Sequence, residues 1–215
     1  MLTPVFHNPA LPAPEMTIIN AALNLLLRTS PQQMTMTQVY KAAGVSKATC
    51  YQYFSSKADL WCALFVEEER LHHAALERLP SKPGIQDWQQ LFQQSLQFPN
   101  KLAAFLALAD CLSEQTSGLR RYQQWQVLRQ QNRRLVMTAL LNDRSDVEAM
   151  GEAERRLAII WCTLEGWLGR YRDSIFLRMS GERRRFAREL ALHCARLAAN
   201  DSNLGNADTP LGETE

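Results

Sequence analysis

Residues 35–60, TMTQVYKAAGVSKATCYQYFSSKADL, determine how the rest of the chain is interpreted. They predict three helices joined by two short turns. Thr35 suits the N-cap of the first helix, and Gly44 suits its end because glycine adopts the left-handed conformation at little cost. Ser46 suits the N-cap of the second helix. The corner between them has the length of a helix-turn-helix connection.

The helix that begins after Ser46 has two chemically different faces. Cys50, Tyr53 and Phe54 are spaced three and four residues apart and are expected to point inward. The opposite face carries Lys47, Ala48, Tyr51 and Gln52. A cation, a small residue, an aromatic hydroxyl and an amide are residue types that contact phosphates and base edges in a major groove. This face therefore predicts contact with DNA.

Two lysines stand at helix starts, Lys47 directly after Ser46 and Lys57 directly after the expected cap Ser56. A lysine there is unfavourable by a few tenths of a kcal/mol, because the helix N-terminus is itself partially positive. A phosphate docked at the same end reverses the effect. Solvated lysines are the alternative, and two of them beside Tyr51 favour nucleic acid.

These residues resemble the tetracycline-repressor (TetR) family of bacterial transcription regulators. The matching positions are Thr35, Ala43-Gly44-Val45-Ser46-Lys47, Thr49, Tyr51, Tyr53-Phe54, Ser56-Lys57 and Leu60. They cover roughly the first quarter of the chain. The sequence departs from the family at Tyr40, where a small residue is usual, and at Cys50, where leucine is usual. The first helix also lacks the arginines that often precede it.

The resemblance implies a repressor that binds a pseudo-palindromic operator in double-stranded DNA as a homodimer and is released by a small-molecule effector. It also implies an all-α fold, with a three-helix DNA-binding domain followed by a helical ligand-binding and dimerisation domain. The residues expected to contact DNA are Thr35, Thr37, Ser46, Lys47, Ala48, Thr49, Tyr51, Gln52 and Lys57.

Composition limits the class of protein. The 215 residues suit one small and one medium domain, and 46% hydrophobic residues suffice for a core. No apolar run approaches the ~20 residues of a membrane span, and no signal peptide is evident, so we expect a cytoplasmic protein without membrane contact. The net charge of +2 is small, so DNA affinity must come from local placement. Five dispersed cysteines indicate buried small hydrophobes, with a redox sensor as the alternative.

We divide the chain into a flexible, proline-containing arm (1–13), the helix-turn-helix domain (14–60), the helical domain (61–199) and a disordered polar tail (200–215). Periodicity predicts further helices at 14–28, 57–79, 85–98, from 99 onward, 119–141, 152–178 and 181–199. Strand-like alternation is missing from the sequence, which favours an all-α fold.

Several tryptophans and other aromatic residues fall on helices of the second domain. They suit either core filling or an effector cavity, and the family resemblance favours a cavity. The predicted pocket residues are Trp88, Phe92, Phe105, Cys111, Trp125, Trp161 and Glu165. Glu165 favours a cationic ligand if it faces the cavity and is uninformative if it faces water.

The last two helices are apolar on more than one side and must be covered on more than one side. Together they suit half of a four-helix bundle completed by a second copy. Burial within one chain is the alternative. The predicted interface residues are Leu164, Leu168, Tyr171, Phe186, Leu190, Cys194 and Leu197.

Catalytic signatures such as H-E-x-x-H, G-x-S-x-G, a P-loop or a Gly-rich dinucleotide turn are missing from the sequence. His72 and His73 are adjacent on a helix and diverge, so they form a poor metal pair. We therefore expect no enzymatic activity, no cofactor and no metal. The alternatives are a helical interaction or chaperone-type protein without specific DNA binding, and a helical enzyme. Selection of bound DNA distinguishes these from a regulator.

Overall fold

The computed structural model describes residues 5–109, 111–112, 116–170 and 183–200. In these ranges the regular elements are nine helices and no strand, so the all-α prediction is confirmed. The helices are α1 (Ala13–Leu26), α2 (Met36–Ala42), α3 (Lys47–Tyr53), α4 (Lys57–Leu76), α5 (Ile85–Leu96), α6 (Pro99–Ala109), α7 (Arg120–Leu141), α8 (Val147–Arg170) and α9 (Arg183–Ala199). We call α1–α3 the head and α5–α9 the body. The long helix α4 joins them.

The caps predicted for the head are present. Thr35 Oγ1 accepts a hydrogen bond from the backbone N–H of Gln38 at 3.2 Å. The side-chain oxygen of Gln38 accepts one from the backbone N–H of Thr35 at 2.8 Å. Gly44 has a φ of +66°, which ends α2 in the left-handed conformation. Ser46 Oγ accepts from the Thr49 amide at 3.0 Å and starts α3. These local bonds fix the helix-turn-helix corner.

One apolar core, which we call the first core, runs from the head into the body. Buried residues of α1, α2 and α3 pack with those of α4, α6 and α7. Near its centre the Phe65 ring stacks on Trp125 with centroids 4.5 Å apart and meets the edge of Phe105 at 5.2 Å. The head is therefore continuous in packing with α4, α6 and α7.

The second core lies between α5, α8 and α9. Trp88, Trp167, Leu190 and Cys194 are buried in it. Three buried alanines line α9, namely Ala191, Ala195 and Ala198. Small side chains at these positions allow α5 and α9 to approach closely, and this pair packs extensively.

Residues 5–12 form a strap across α1, α4 and α6, whereas the sequence predicted a flexible arm. The Phe6 ring is buried against Phe105, with centroids 6.5 Å apart. The Asn20 side chain makes two hydrogen bonds, 2.8 and 3.0 Å, with the backbone of Phe6. Asn8 Nδ2 donates to both oxygens of Glu67, at 3.0 and 3.1 Å. The flexible-arm prediction is therefore wrong for this segment, because prolines prevent regular structure but not side-chain burial.

The helix boundaries differ from the predictions in several places. Helix α8 begins at Val147, five residues early, because Asp146 Oδ1 accepts from the Ala149 amide at 2.8 Å and caps it. The predicted end of this helix and residues 201–215 of the predicted tail (200–215) lie outside the described residues. Among the described helices, each is either too short or too polar to cross a membrane.

Candidate nucleic-acid interface

Helix α3 presents the two faces expected from its spacing. Cys50 and the following Phe54 are fully buried, and Tyr53 is half-buried. The opposite face is exposed and consists of Lys47, Ala48, Tyr51 and Gln52. A short helix anchored by two buried side chains thus presents a row of polar and aromatic groups to solvent.

Lys47 and Tyr51 lie side by side, one turn apart on this face. The Lys47 ammonium is 5.9 Å from the centroid of the Tyr51 ring, and 44% of Tyr51 is exposed. Such a contact contributes about 0.5–1 kcal/mol at an exposed site. It holds a cation and a phenol hydroxyl on one side of the helix, which is suitable for a phosphate and a neighbouring base edge.

Two of the hydroxyl residues predicted to contact DNA, Ser46 and Thr35, are helix N-caps. The hydroxyl oxygens of Ser46 and Thr49 are 2.8 Å apart, and Ser46 also accepts the Thr49 amide. Thr35 is occupied in the capping box of α2, whereas Thr37 is exposed and belongs to the same helix start. The Ser46 cap therefore fixes the start of α3, and the Thr35 cap fixes the start of α2.

Lys57 differs from the expectation. Its ammonium donates to the carbonyl oxygens of Met34, Gln32 and Pro31, at 3.0, 3.4 and 3.5 Å. It also lies 4.8 Å from the centroid of the Trp61 ring. The side chain therefore holds the α1–α2 loop and is not extended toward solvent. Sequence reasoning missed this role because the carbonyls lie 23–26 residues away along the chain.

The predicted pocket residues do not surround one space. Phe105 and Trp125 lie in the first core, with half-buried Cys111 packed against it. Trp88 and Phe92 stack at 6.1 Å in the second core. Trp161 is 51% exposed, and Glu165 is exposed on α8. These two residues therefore face water and not a cavity within the chain.

A small cavity of about 70 Å³ does lie in the body, between the α7–α8 turn and the end of α9. Leu140, Arg156 and Ala198 are among its lining residues, and it includes none of the predicted pocket residues. The Arg156 guanidinium donates to the carbonyls of Leu140 at 2.8 Å and Ala198 at 3.0 Å. Arg156 therefore forms part of the wall of this cavity and is held there by hydrogen bonds to two other lining residues.

The predicted dimer residues face into the chain. Leu168, Leu190 and Cys194 are buried in the second core, and the half-buried residues around it are Leu164, Phe186 and Leu197. Tyr171 lies outside the described residues. The exposed face of α8 instead carries Ile159 (50%) and Trp161 (51%) at its edges. Between these edges lie three exposed small residues, Ala158, Cys162 and Gly166, together with the exposed Glu165.

The helix-turn-helix region matches a known family. Residues 18–64 match the model described as bacterial regulatory proteins, tetR family. This range contains α2, α3 and most of α1, and it ends within α4. No curated protein sequence matches the chain at a significant level.

Solved structures extend the similarity beyond the head. A TetR transcriptional regulator from Rhodococcus sp. RHA1 is 18% identical, with 88% of this chain and 96% of that one covered and a TM-score of 0.53. A tetR-family regulator from Streptomyces coelicolor is 18% identical, with 86% and 79% covered and a TM-score of 0.60. NalD, the secondary repressor of the MexAB-OprM multidrug efflux pump in Pseudomonas aeruginosa, is 18% identical, with 85% and 94% covered and a TM-score of 0.52. The chain therefore has the fold of TetR-family transcriptional regulators, and residues 18–64 form its TetR-type helix-turn-helix domain.

Proposed function

We propose that this chain is a transcription regulator that binds operator DNA through α3 and acts as a repressor. The observation that carries the proposal is the exposed face of α3, with Lys47 and Tyr51 side by side on a helix anchored by Cys50 and Phe54. A net charge of +2 gives little general attraction to DNA. Affinity and base recognition are therefore assigned to this face.

Selection of bound sequences from random double-stranded DNA, followed by gel shift, tests the proposal. Lys47→Ala and Tyr51→Ala should each weaken binding of the selected DNA about tenfold, because each removes a contact of ~1–3 kcal/mol. Lys82→Ala is the matched control for charge, since Lys82 is exposed and pairs with exposed Asp143 at 2.9 Å. If both α3 variants bind like the wild type, the recognition-helix assignment is wrong.

The active form is proposed to be a homodimer joined through the exposed face of α8. Ile159 and Trp161 frame Ala158, Cys162 and Gly166, and small residues between large ones allow two helices to pack closely. A second copy would cover this face and complete a four-helix bundle. Two-fold symmetry then requires a pseudo-palindromic operator with half-sites about one helical turn apart or further.

Light scattering and thiol labelling test this interface. Ile159→Arg should give a folded monomer, whereas Val127→Arg, on the 54% exposed Val127 of α7, should stay dimeric. Cys162 is exposed in one chain, while burial raises the pKa of Cys62 and Cys194 to about 11 and makes them unreactive. Maleimide should therefore label Cys162 faster in the Ile159→Arg monomer than in the dimer. Equal labelling rates would argue against this face.

Release of the operator by a small molecule is proposed as the regulatory step. Its support is the fold shared with NalD, a repressor of a multidrug efflux pump. Cationic and neutral aromatic compounds are the first candidates, with intrinsic tryptophan fluorescence as the signal. A true effector must obey linkage: if it weakens DNA binding tenfold, DNA must weaken its binding tenfold, a coupling of about 1.4 kcal/mol. Fluorescence changes without this reciprocity would reject a compound.

A further inference from the structure

Arg121, near the start of α7, makes ion pairs with two separate elements next to the recognition helix. Its Nη1 donates to Asp59 Oδ1 and Oδ2 at 2.9 and 3.0 Å. Its Nη2 donates to Glu15 Oε1 at 2.8 Å. Both carboxylate side chains are only 10% exposed. One body residue therefore pairs with two largely buried acidic groups.

The positions of these acidic groups give the contact its importance. Glu15 lies in the first turn of α1 and Asp59 in the first turn of α4. Asp59 Oδ2 also accepts from the amide and hydroxyl of Ser55, at 3.0 and 3.1 Å. The Arg121 guanidinium carbon lies 4.8 Å from the centroid of Phe54, the residue that directly follows α3. Arg121 thus contacts α1, the end of α3 and the start of α4 at once.

Arg121 remains charged under all physiological conditions. Burial lowers the pKa of its guanidinium, but the hydrogen bonds and charges of Asp59 and Glu15 outweigh burial and leave the pKa above its ordinary value. In the described part of the chain, Arg121 is the cation paired with each of these carboxylates. Without it, two buried acids would lie near each other uncompensated. The cation of this contact therefore does not titrate near neutral pH.

We propose that Arg121 is a positioning residue that fixes the orientation of α3 against the body. A shift of the first turn of α7 would move α1, the end of α3 and the start of α4 together. The consequence for DNA rests on the proposed function: two recognition helices held at one orientation bind DNA with a smaller loss of freedom than two loosely held ones. Arg121 itself need not touch DNA.

Hydrogen exchange tests this positioning role without DNA. In Arg121→Ala, amides of α1, of the end of α3 and of Ser55 should exchange faster, while those of α5 and α9 should not change. Arg120→Ala is the matched control, because Arg120 is the exposed neighbour on the same helix. Wild-type exchange in the head of Arg121→Ala would overturn the proposal.

Two further variants separate position from charge. Arg121→Lys keeps the charge but cannot present the planar fork that reaches both carboxylates, so its head should exchange nearly as fast as that of Arg121→Ala. Glu15→Gln removes one pairing and keeps the other, so it should remain folded and show faster exchange mainly in α1. If the head amides of Arg121→Lys exchanged as slowly as those of the wild type, charge alone would be sufficient at this position. That result would overturn the positioning role.

The operator supplies the functional measurement. Arg121→Ala should bind the selected DNA about tenfold more weakly, a typical size for coupling between sites, while the slope of affinity with salt stays as in the wild type. A changed salt slope with normal head exchange would instead indicate a phosphate contact and overturn the proposal. Wild-type protein that selects no DNA would refute the proposed function alone, because the exchange pattern still decides the positioning role.

Discussion

The two cores of this molecule have different relations to the head, which carries the candidate DNA-binding face. The first core includes buried residues of the head together with Phe65, Phe105 and Trp125. The second core contains α5, α8 and α9 and includes no residue of the head. Helix α4 packs mainly on α7, and α5 packs mainly on α9. The head therefore belongs with α4, α6 and α7 in packing, although it precedes the whole body in sequence.

This difference suggests where regulation acts. The exposed face of α8, where we propose that the second copy binds, belongs to a helix of the second core, while α3, the proposed recognition helix, belongs to the first. In the proposed dimer, a shift of one core relative to the other would change the spacing of the two copies of α3. The following predictions test whether the two cores respond separately.

The largest effect is expected from Leu190→Arg. Leu190 is 8% exposed in the second core, so an arginine there loses packing and buries a charge, at a cost of about 5 kcal/mol or more. Thermal unfolding should show loss of helix in α5, α8 and α9, followed by loss of the dimer. Ile159→Arg is the control that should change the oligomer without this loss. A folded Leu190→Arg monomer would mean that Leu190 faces the partner.

Trp125→Ala and Trp88→Ala make the same change in the two cores. Each should destabilise the protein by ~3–5 kcal/mol, because both side chains are almost fully buried. Hydrogen exchange should differ between them: Trp125→Ala accelerates exchange in the head, and Trp88→Ala accelerates it in α5 and α9. Identical exchange patterns would show that the cores unfold as one unit.

A smaller difference is expected between two lysines of the helix-turn-helix region. Lys57→Ala removes the donor to three loop carbonyls and should cost about 1–3 kcal/mol of stability. Lys47→Ala, on the exposed face of α3, should stay within about 0.5 kcal/mol of wild type. Denaturant unfolding measures both. Equal stabilities would mean that Lys57 is free to reach a phosphate, as the sequence first predicted.

The smallest effect concerns the strap on the first core. Burial raises the pKa of Glu67, whereas the hydrogen bond from Asn8 and the charge of Arg70 lower it. The effect of burial is larger, so the pKa lies above the ordinary glutamate value. A raised carboxyl pKa means that ionisation costs folding free energy, so stability falls as pH rises from the ordinary glutamate value through the raised one. Glu67→Gln should therefore be more stable at neutral pH, by roughly 1 kcal/mol or less, and lose that advantage in acid. A constant difference across pH would exclude the ionisation of Glu67 as the cause.

The sequence by itself was sufficient for the head. Its caps join residues three apart, such as Ser46 with Thr49 and Thr35 with Gln38, and its turn needs only Gly44 at positive φ. The exposed face of α3 followed from the spacing of Cys50 and Phe54. All of these features depend on neighbours within one or two turns of helix. Local physical chemistry therefore decided the fold of this region and its candidate DNA-binding face.

Only the tertiary structure decided the roles of Arg121, Lys57, Asn8 and the exposed face of α8. Arg121 meets Glu15 across 106 residues, and Asn8 meets Glu67 across 59, so no periodic pattern links these pairs. Helix α8 is apolar on more than one side, and its periodicity alone could not tell which side the chain would cover. The physical reason is that long-range pairing and the choice of a buried face depend on which helices come together. That choice is made by packing and charge neutralisation over the whole chain.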